Sequence, residues 1–180
     1  VFMYREPLLC NRAFSETHAV VHMMHQVICG KLAKTEVIVG LLCAMANATG
    51  KDKDMGVKGM IAEAMWTAEI VRALRFQGEA EAHEDQWGNY VPLRRPLDTS
   101  RNTYPKFYPK LIEMIHMLGS SSLMATPTEA DCTNDLSEDV AAYFQTVNLD
   151  SDERIALFRL AHDVAVSGFG NRQVLYERFF

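Results

Sequence analysis

A long proline-free segment with helical spacing of its apolar residues constrains the fold of this chain most strongly. No proline occurs from about Ala13 to Ala48. Apolar residues recur there at helical spacing: Val20, Val21, Met24, Val27, Ile28, Leu32, Val39 and Leu42. This spacing predicts one helix of roughly 50 Å, at about 1.5 Å per residue. Between Val37 and Met45 the segment is apolar on nearly all sides, which is typical of a helix surrounded by others.

Helical signals continue through the middle of the chain. An apolar stripe that begins at Val57 predicts a second helix to about Ala82. The stretch from Glu79 to Pro96 is polar and interrupted, and it predicts a loop with at most short extended pieces. A third helix is predicted to start from a cap within 98–100 and to end at Gly119, with Pro105 in its first turn and Pro109 bending it.

Two capping boxes predict the remaining helices. Asp135 and Glu138 have the spacing that opens a helix, here a short one to about Val147. Asp150 and Glu153 repeat this spacing before a last helix, which the glycines within 168–170 should interrupt or kink. Strand signals are nearly absent. The predicted fold class is therefore all-α, an antiparallel bundle of long helices.

Composition limits the possible partners. The 180 residues are 48% apolar and 23% charged, which is typical of a soluble globular domain. A formal net charge of −5 argues against nucleic acid as a partner. No apolar run of about eighteen residues is present, so no membrane span is predicted. The four cysteines are far apart and form no Cys-x-x-Cys pair, which favours reduced thiols and a cytoplasmic location.

The two chain ends suggest a piece of a longer polypeptide. The chain starts at Val1 without a methionine and ends with the aromatic pair Phe179 and Phe180. Natural termini are usually frayed and polar, so we expect part of the function to lie outside this sequence.

Histidines and a cysteine with helical spacing form the first candidate site. His18, His22, His25 and Cys29 are separated by four, three and four residues, and the sequence places them on one face of the first helix. Imidazole and thiolate suit a transition metal or an iron–sulfur cluster. One straight helix points such ligands in parallel, so the favoured interpretation is a polar helix edge with a buried cysteine. No metal ligand is assigned.

A second pair matches one half of a di-iron element. Glu113 and His116 have the Glu-x-x-His spacing of ferritin-like bundles. Those sites need the element twice and two further glutamates, and no second Glu-x-x-His occurs in this sequence. A surface or interface pair is therefore predicted.

The segment 168–172 is the candidate for contact with a nucleotide cofactor. No Gly-x-Gly-x-x-Gly, Walker loop or Gly-x-Ser-x-Gly is present. Gly168 and Gly170 could let the backbone approach a ligand, and Arg172 could contact a phosphate with two hydrogen bonds. A helix kink with a solvated Arg172 explains the same residues, and both interpretations stay open on physical grounds.

Several segments, in the same order along the chain, closely resemble the oxygenase-component family of 4-hydroxyphenylacetate 3-monooxygenase. The longest of them is the C-terminal run Ser167-Gly-Phe-Gly-Asn-Arg-Gln-Val-Leu-Tyr-Glu-Arg-Phe179. The others are His25-Gln-Val, Ala33-Lys-Thr-Glu36, Gly40-Leu-Leu, Leu123-Met-Ala-Thr-Pro-Thr-Glu-Ala-Asp131 and Glu153-Arg-Ile-Ala-Leu-Phe-Arg-Leu-Ala161. Together they span most of the chain.

The resemblance implies a two-component, flavin-dependent monooxygenase. In such a system a separate flavin reductase supplies reduced FAD, and the oxygenase uses O₂ to hydroxylate a phenol similar to 4-hydroxyphenylacetate at the ortho position. The family fold resembles acyl-CoA dehydrogenase, and residues 1–180 would be its C-terminal helical bundle, without the N-terminal region and the middle β-domain. The resemblance also implies a homotetramer.

The resemblance assigns flavin contacts but no catalytic residue. The segment 168–172 is similar to one that dehydrogenase-like bundles present to FAD, which implies flavin contacts for Gly168, Phe169, Gly170, Asn171 and Arg172. The family more often has Gly or Ala at position 171. The Arg, Tyr and His that act on phenol and flavin lie in the earlier domains of the family, so no residue of this chain is predicted to be catalytic.

Two alternatives remain open at this point. The related 4-hydroxybutyryl-CoA dehydratase ligates an iron–sulfur cluster through a His and a Cys seven residues apart, and His22 and Cys29 have that separation. That enzyme needs two further cysteines from its N-terminal part, and the run from Arg172 to Glu177 is not found in it. The other alternative is a non-catalytic helical domain used only for assembly.

Overall fold

The computed structural model describes residues 3–179, so Val1 and Phe180 of the predicted chain ends lie outside the described residues. About 73% of the described residues are helical and there is almost no sheet among them, which confirms the all-α class. Its helices are α1 Pro7–Glu16, α2 Ala19–Ala48, α3 Met55–Ala80, α4 Arg94–Gly119, α5 Ser137–Tyr143, α6 Ser151–Ala165 and α7 Gly168–Phe179, with a 3₁₀ turn at Ser120–Leu123. None of the described helices has the length and apolarity needed to cross a membrane.

The single first helix predicted from Ala13 is wrong, because the chain breaks between α1 and α2. The hydroxyl of Ser15 donates to the Asn11 carbonyl at 3.0 Å, and the Thr17 hydroxyl bonds the Ala13 carbonyl. Such side-chain bonds compete with regular helix geometry. His18 then adopts φ 57°, in the left-handed region that ends a helix.

The start of α4 is also earlier than predicted, and its prolines lie deeper in the helix. α4 begins at Arg94 instead of being capped within 98–100, and the Arg94 guanidinium donates to the Asp98 carboxylate at 2.9 Å. Pro105 lies inside the helix and not in its first turn, and Pro109 lies inside the helix as predicted. Each proline removes one helical hydrogen bond. Burial of the neighbouring Tyr104 and Tyr108 compensates for this loss.

One capping box is confirmed and the other is wrong. The Asp150 carboxylate accepts the Glu153 N–H at 2.9 Å, and the Glu153 carboxylate accepts the Asp150 N–H at 3.3 Å. The predicted box at Asp135 does not form, since α5 begins at Ser137 without a side-chain cap. The Asn134 side chain instead accepts the Leu136 N–H at 2.8 Å in a local turn.

The loop predicted between the second and third helices is confirmed, with one short extended piece. His83–Glu84 (β1) pairs antiparallel with Tyr90–Val91 (β2), with His83 opposite Val91. The Asp85 carboxylate accepts the N–H groups of Trp87 at 2.8 Å and Asn89 at 2.9 Å, which shapes the connecting turn.

The chain forms two compact units. The first consists of Val1–Lys34 and Ala68–Tyr104, and the second of Thr35–Thr67 and Pro105–Phe180. In the first unit the fully buried Tyr104 hydroxyl donates to the Lys31 carbonyl at 3.0 Å, and the Lys31 ammonium lies 4.6 Å from the ring centroid. These contacts join α4 to α2 with a charged group over an aromatic face.

The second unit packs α6 against the irregular segment that precedes α5. The Arg159 guanidinium donates to the Thr126 carbonyl at 2.9 Å and also bonds the Pro127 carbonyl. In the same segment the Asp131 carboxylate accepts the backbone N–H of Thr128 at 2.8 Å and its hydroxyl at 2.7 Å. These two hydrogen bonds hold the pKa of Asp131 below its ordinary value, and the Arg159 charge acts in the same direction.

Two buried ionisable residues, one on α4 and one on α7, interact electrostatically in this unit. Tyr108 and Glu177 are both buried. Burial raises the pKa of Tyr108 to about 12, and the negative charge of Glu177 adds to the effect. The Tyr108 hydroxyl therefore keeps its proton at any physiological pH.

The depressed pKa of Asp131 predicts a pH-dependent contribution to stability. A carboxyl group whose pKa is lower in the folded state stabilises the fold above its unfolded pKa, and this contribution is lost as pH falls through the folded value. We expect Asp131→Asn to lower the thermal midpoint near neutral pH and to differ little from wild type in strong acid. The exposed Asp135→Asn is the matched control. A constant difference between Asp131→Asn and wild type at all pH values would contradict this assignment.

Candidate functional site

The corner between α6 and α7 carries the predicted flavin residues. α6 ends at Ala165 and α7 begins at Gly168, as the glycine-rich pattern predicted. The Ser167 hydroxyl accepts the N–H of Gly170 at 3.1 Å and donates to the Asp163 carbonyl at 2.7 Å. One serine thus caps the start of α7 and binds the last turn of α6.

Gly170 lets α6 and α7 approach each other closely. A Cβ atom at position 170 would lie 2.5 Å from the Val164 carbonyl oxygen and 2.9 Å from the Asp163 carbonyl oxygen. Backbone atoms cannot move away as a flexible side chain can, so only glycine fits. The sequence left open a helix kink or a ligand contact and did not predict this packing role, and the contact of Gly170 with flavin stays a prediction.

The other four predicted residues are exposed at this corner. A Cβ atom added to Gly168 would meet nothing within 4 Å, and the Phe169 ring is 58% exposed. The Asn171 amide donates to the carbonyls of Val166 at 3.1 Å and Ser167 at 3.2 Å. The Asn171 side chain therefore stabilises the corner, a role that the sequence analysis did not find.

His116 supports the same corner from α4. Its Nε2–H donates to the carbonyl oxygen of Ala165, the last residue of α6, at 2.8 Å. This bond satisfies a carbonyl that has no partner within its own helix. Glu113 and His116 are both exposed, as the predicted surface or interface pair requires, and His116 in addition contacts α6.

The exposed groups of the corner fit a flavin nucleotide chemically. Within residues 3–179 the structure shows no hydrogen bond or ion pair of the Arg172 guanidinium. In the first turn of α7 the N–H groups of Gly170 and Asn171 are bonded to Ser167, which leaves, within residues 3–179, the N–H groups of Gly168 and Phe169 next to the open space at Gly168. Guanidinium and helix N-terminal N–H groups bind phosphate oxygens, and an exposed phenyl ring can cover an aromatic ring system.

The histidine stripe is only partly on one helix. His22, His25 and Cys29 lie on α2, but His18 precedes that helix, so its predicted place on the stripe is wrong. The His18 ring instead lies edge to face against the His83 ring, with centroids 6.4 Å apart. The four- and three-residue spacing of the histidines gave no sign of the left-handed conformation of His18. That conformation belongs to the turn between the end of α1 at Glu16 and the start of α2 at Ala19.

Cys29 and His25 meet a carboxylate from α3, which forms a second candidate site. The His25 Nε2 atom lies 2.8 Å from Glu79 Oε1 and 3.9 Å from Cys29 Sγ. The three possible ligand atoms lie within 4.8 Å of one another. His22 is exposed and does not belong to this group. No sequence signal identified Glu79, because it lies 54 residues from His25 along the chain.

Comparison with known proteins gives consistent matches over the whole chain. A family model described as HpaB, 4-hydroxyphenylacetate 3-hydroxylase C terminal, matches residues 10–180. The 4-hydroxyphenylacetate 3-monooxygenase oxygenase component of Thermus thermophilus is 43% identical over 180 residues, which is all of this chain and 37% of that protein. The corresponding oxygenase component of a Geobacillus species is 41% identical over 181 residues, with the same shares.

Solved structures show the same fold. The oxygenase component HpaB complexed with FAD and 4-hydroxyphenylacetate matches with a TM-score of 0.91 and 44% identity, over 96% of this chain and 36% of that chain. An archaeal 4-hydroxybutyryl-CoA dehydratase matches with a TM-score of 0.79 at 14% identity, over 87% of this chain and 32% of that chain. The second match shows likeness of fold alone.

The matches cover this whole chain but only part of each relative. The chain spans about 37% of the length of these curated relatives. The family model nevertheless covers nearly all of this chain, and the identities are well above 30%. The chain therefore belongs to the 4-hydroxyphenylacetate 3-hydroxylase (HpaB) C-terminal family.

Proposed function

We propose that this chain is the C-terminal helical domain of the oxygenase component of a two-component phenol monooxygenase. The proposal rests on the 43% identity, over the whole chain, to a protein named as such an oxygenase component. The proposed substrates are O₂ and a phenol similar to 4-hydroxyphenylacetate, the proposed product is the ortho-hydroxylated catechol, and the cofactor is reduced FAD. The proposal includes a separate flavin reductase, a homotetramer and a cytoplasmic location.

The α6–α7 corner would hold the cofactor. Reduced FAD supplies the electrons that activate O₂ when it is bound. Arg172 and the N–H groups of Gly168 and Phe169 would bind anionic oxygens of the cofactor, and the Phe169 ring would cover part of it and exclude water. Gly168 would allow close approach, since, apart from the adjacent backbone of its own helix, no protein atom lies within 4 Å of where its Cβ would be. Exclusion of water protects reactive flavin chemistry from side reactions.

Other residues of the corner would hold α7 in place. Gly170, Ser167, Asn171 and His116 contact the protein backbone and fix where α7 begins. We assign no catalytic residue to this chain, because none of these groups is proposed to contact the reacting phenol.

The dehydratase alternative is not favoured. It depended on His22 and Cys29 acting together, but Cys29 lies beside His25 and His22 is exposed. Its structural support is a match at 14% identity. Purified dehydratase would be brown and would contain iron and sulfide, so metal analysis of anaerobically purified protein separates the two functions.

The proposed activity predicts conversion of phenols to catechols by the full-length protein. We expect product when the protein is mixed with FAD, NADH, a flavin reductase, O₂ and a panel of phenols that includes 4-hydroxyphenylacetate. Chromatography of the products is the measurement, and a mixture without the protein is the control for free flavin chemistry. Flavin-loaded protein that yields no catechol from any phenol of the panel would overturn the proposal.

The two glycines of the corner predict opposite outcomes for the same substitution. Gly170→Ala forces a Cβ against backbone, so we expect a loss of about 1–3 kcal/mol in the free energy of unfolding. Gly168→Ala has space and should leave stability unchanged or raise it by about 0.4–1 kcal/mol, because alanine reduces the conformational entropy of the unfolded chain. If flavin approaches this backbone, Gly168→Ala should still weaken FADH₂ binding. Thermal unfolding and anaerobic flavin titration measure the two effects, and unchanged affinity in Gly168→Ala would exclude that contact.

We expect replacement of Arg172 to lower the affinity for flavin and to leave the free energy of unfolding unchanged. Hydrogen bonds to charged groups contribute about 1.5–3 kcal/mol, so Arg172→Ala should weaken FADH₂ binding roughly 10- to 100-fold. Arg178→Ala is the matched control, because Arg178 is also exposed on α7. Equal affinities for these two variants and wild type, measured by anaerobic titration, would remove Arg172 from the site.

A further inference from the structure

We propose that His25, Cys29 and Glu79 form a zinc site that joins α2 to α3 within the first unit. The site is additional to the proposed monooxygenase function and does not depend on it. All three residues lie within Val1–Lys34 and Ala68–Tyr104. Among the described residues, this is the group of three whose ligand atoms lie close enough to share one ion.

The distances between the ligand atoms are close to those of a tetrahedral zinc site. Zinc holds nitrogen and oxygen at about 2.0 Å and sulfur at about 2.3 Å, so its ligand atoms lie roughly 3.3–3.6 Å apart. His25 Nε2 is 2.8 Å from Glu79 Oε1 and 3.9 Å from Cys29 Sγ. Binding an ion would widen the first distance by about 0.5 Å and shorten the second by about 0.3 Å. The third pair, Cys29 Sγ and the Glu79 carboxylate, lies within 4.8 Å and would have to close to about 3.5 Å.

The backbone already directs these ligands to one place. His25 and Cys29 are one helical turn apart, so their side chains leave the same face of α2. Glu79 lies in the last turn of α3 and reaches the same point from another helix. This third ligand removes the objection that a single straight helix cannot close a metal site.

The ligand set selects a borderline transition metal. Imidazole and thiolate suit zinc, whereas magnesium and calcium prefer oxygen ligands alone. Three protein ligands leave one tetrahedral position for water. The His25 and Glu79 side chains are 30% and 39% exposed, so an ion can reach the site from solvent.

One neighbouring charge opposes metal binding. The Arg75 Nε atom lies 3.4 Å from the same Glu79 oxygen and shares that carboxylate with His25. A positive charge at this distance repels a divalent cation and competes for its ligand. Arg75 therefore provides a variant that should improve zinc binding, which an ordinary ion pair between His25 and Glu79 does not predict.

The first test measures the stoichiometry and affinity of zinc. The full-length protein is dialysed against a chelator and titrated with zinc sulfate in competition with a chromophoric chelator, without flavin. We expect one zinc per chain in wild type and loss of that zinc in Cys29→Ser and Glu79→Gln. Cys43→Ser, which alters an exposed cysteine of α2, is the matched control and should bind zinc normally. No zinc bound by wild type would overturn the proposal and leave an ion pair only.

The second test uses Arg75 to separate the two interpretations. We expect Arg75→Gln to bind zinc about threefold or more tightly than wild type, because a repelling charge is removed. An unchanged or lower zinc affinity in Arg75→Gln would contradict the site.

The third test places the ion at Cys29. Zinc should protect the Cys29 thiol from iodoacetamide, and Cys43 in the same helix should be alkylated equally with and without zinc. Mass spectrometry of the two peptides measures both thiols in one sample. Equal alkylation of Cys29 with and without zinc would overturn the proposal. These readouts involve no flavin or phenol, so their failure is distinguishable from failure of the monooxygenase function.

Discussion

The close approach of α6 and α7 determines where every proposed flavin contact of this chain lies. A side chain at position 170 would place its Cβ 2.5 Å from the Val164 carbonyl oxygen, so this crossing requires glycine. Ser167 caps α7 across the corner, and His116 binds the last residue of α6. Because these are backbone contacts, they set the direction of α7 and the place where its first turn meets solvent.

The motif 168–172 therefore combines two kinds of residue. Gly170 and Asn171 contact the corner itself, whereas Gly168, Phe169 and Arg172 face solvent. A contact residue can act only where positioning residues have placed it, so both kinds are needed for one binding site. This explains physically why one short segment could support both a helix kink and a ligand contact in the sequence analysis.

In the first unit, polar side chains connect α2 to α3 and α4. Tyr104 binds the Lys31 carbonyl from α4, and Glu79 meets His25 and Cys29 from α3. Both contacts join helices far apart in the sequence through polar atoms. Such contacts are directional, and they specify one arrangement of helices more narrowly than apolar packing alone. The proposed zinc ion would add a further cross-link to this unit without any role in phenol hydroxylation.

The sequence by itself determined the all-α class, the Asp150 cap, the break before α7 and the resemblance to the family, because periodicity, caps and motifs are local in the chain. Only the tertiary structure decided the rest. Pro105 lies inside a helix because buried neighbours outweigh a lost hydrogen bond, and His18 leaves its stripe because the chain turns there. Glu79 joins His25 across 54 residues, a distance at which contacts depend on how the helices pack and leave no periodic signal in the sequence.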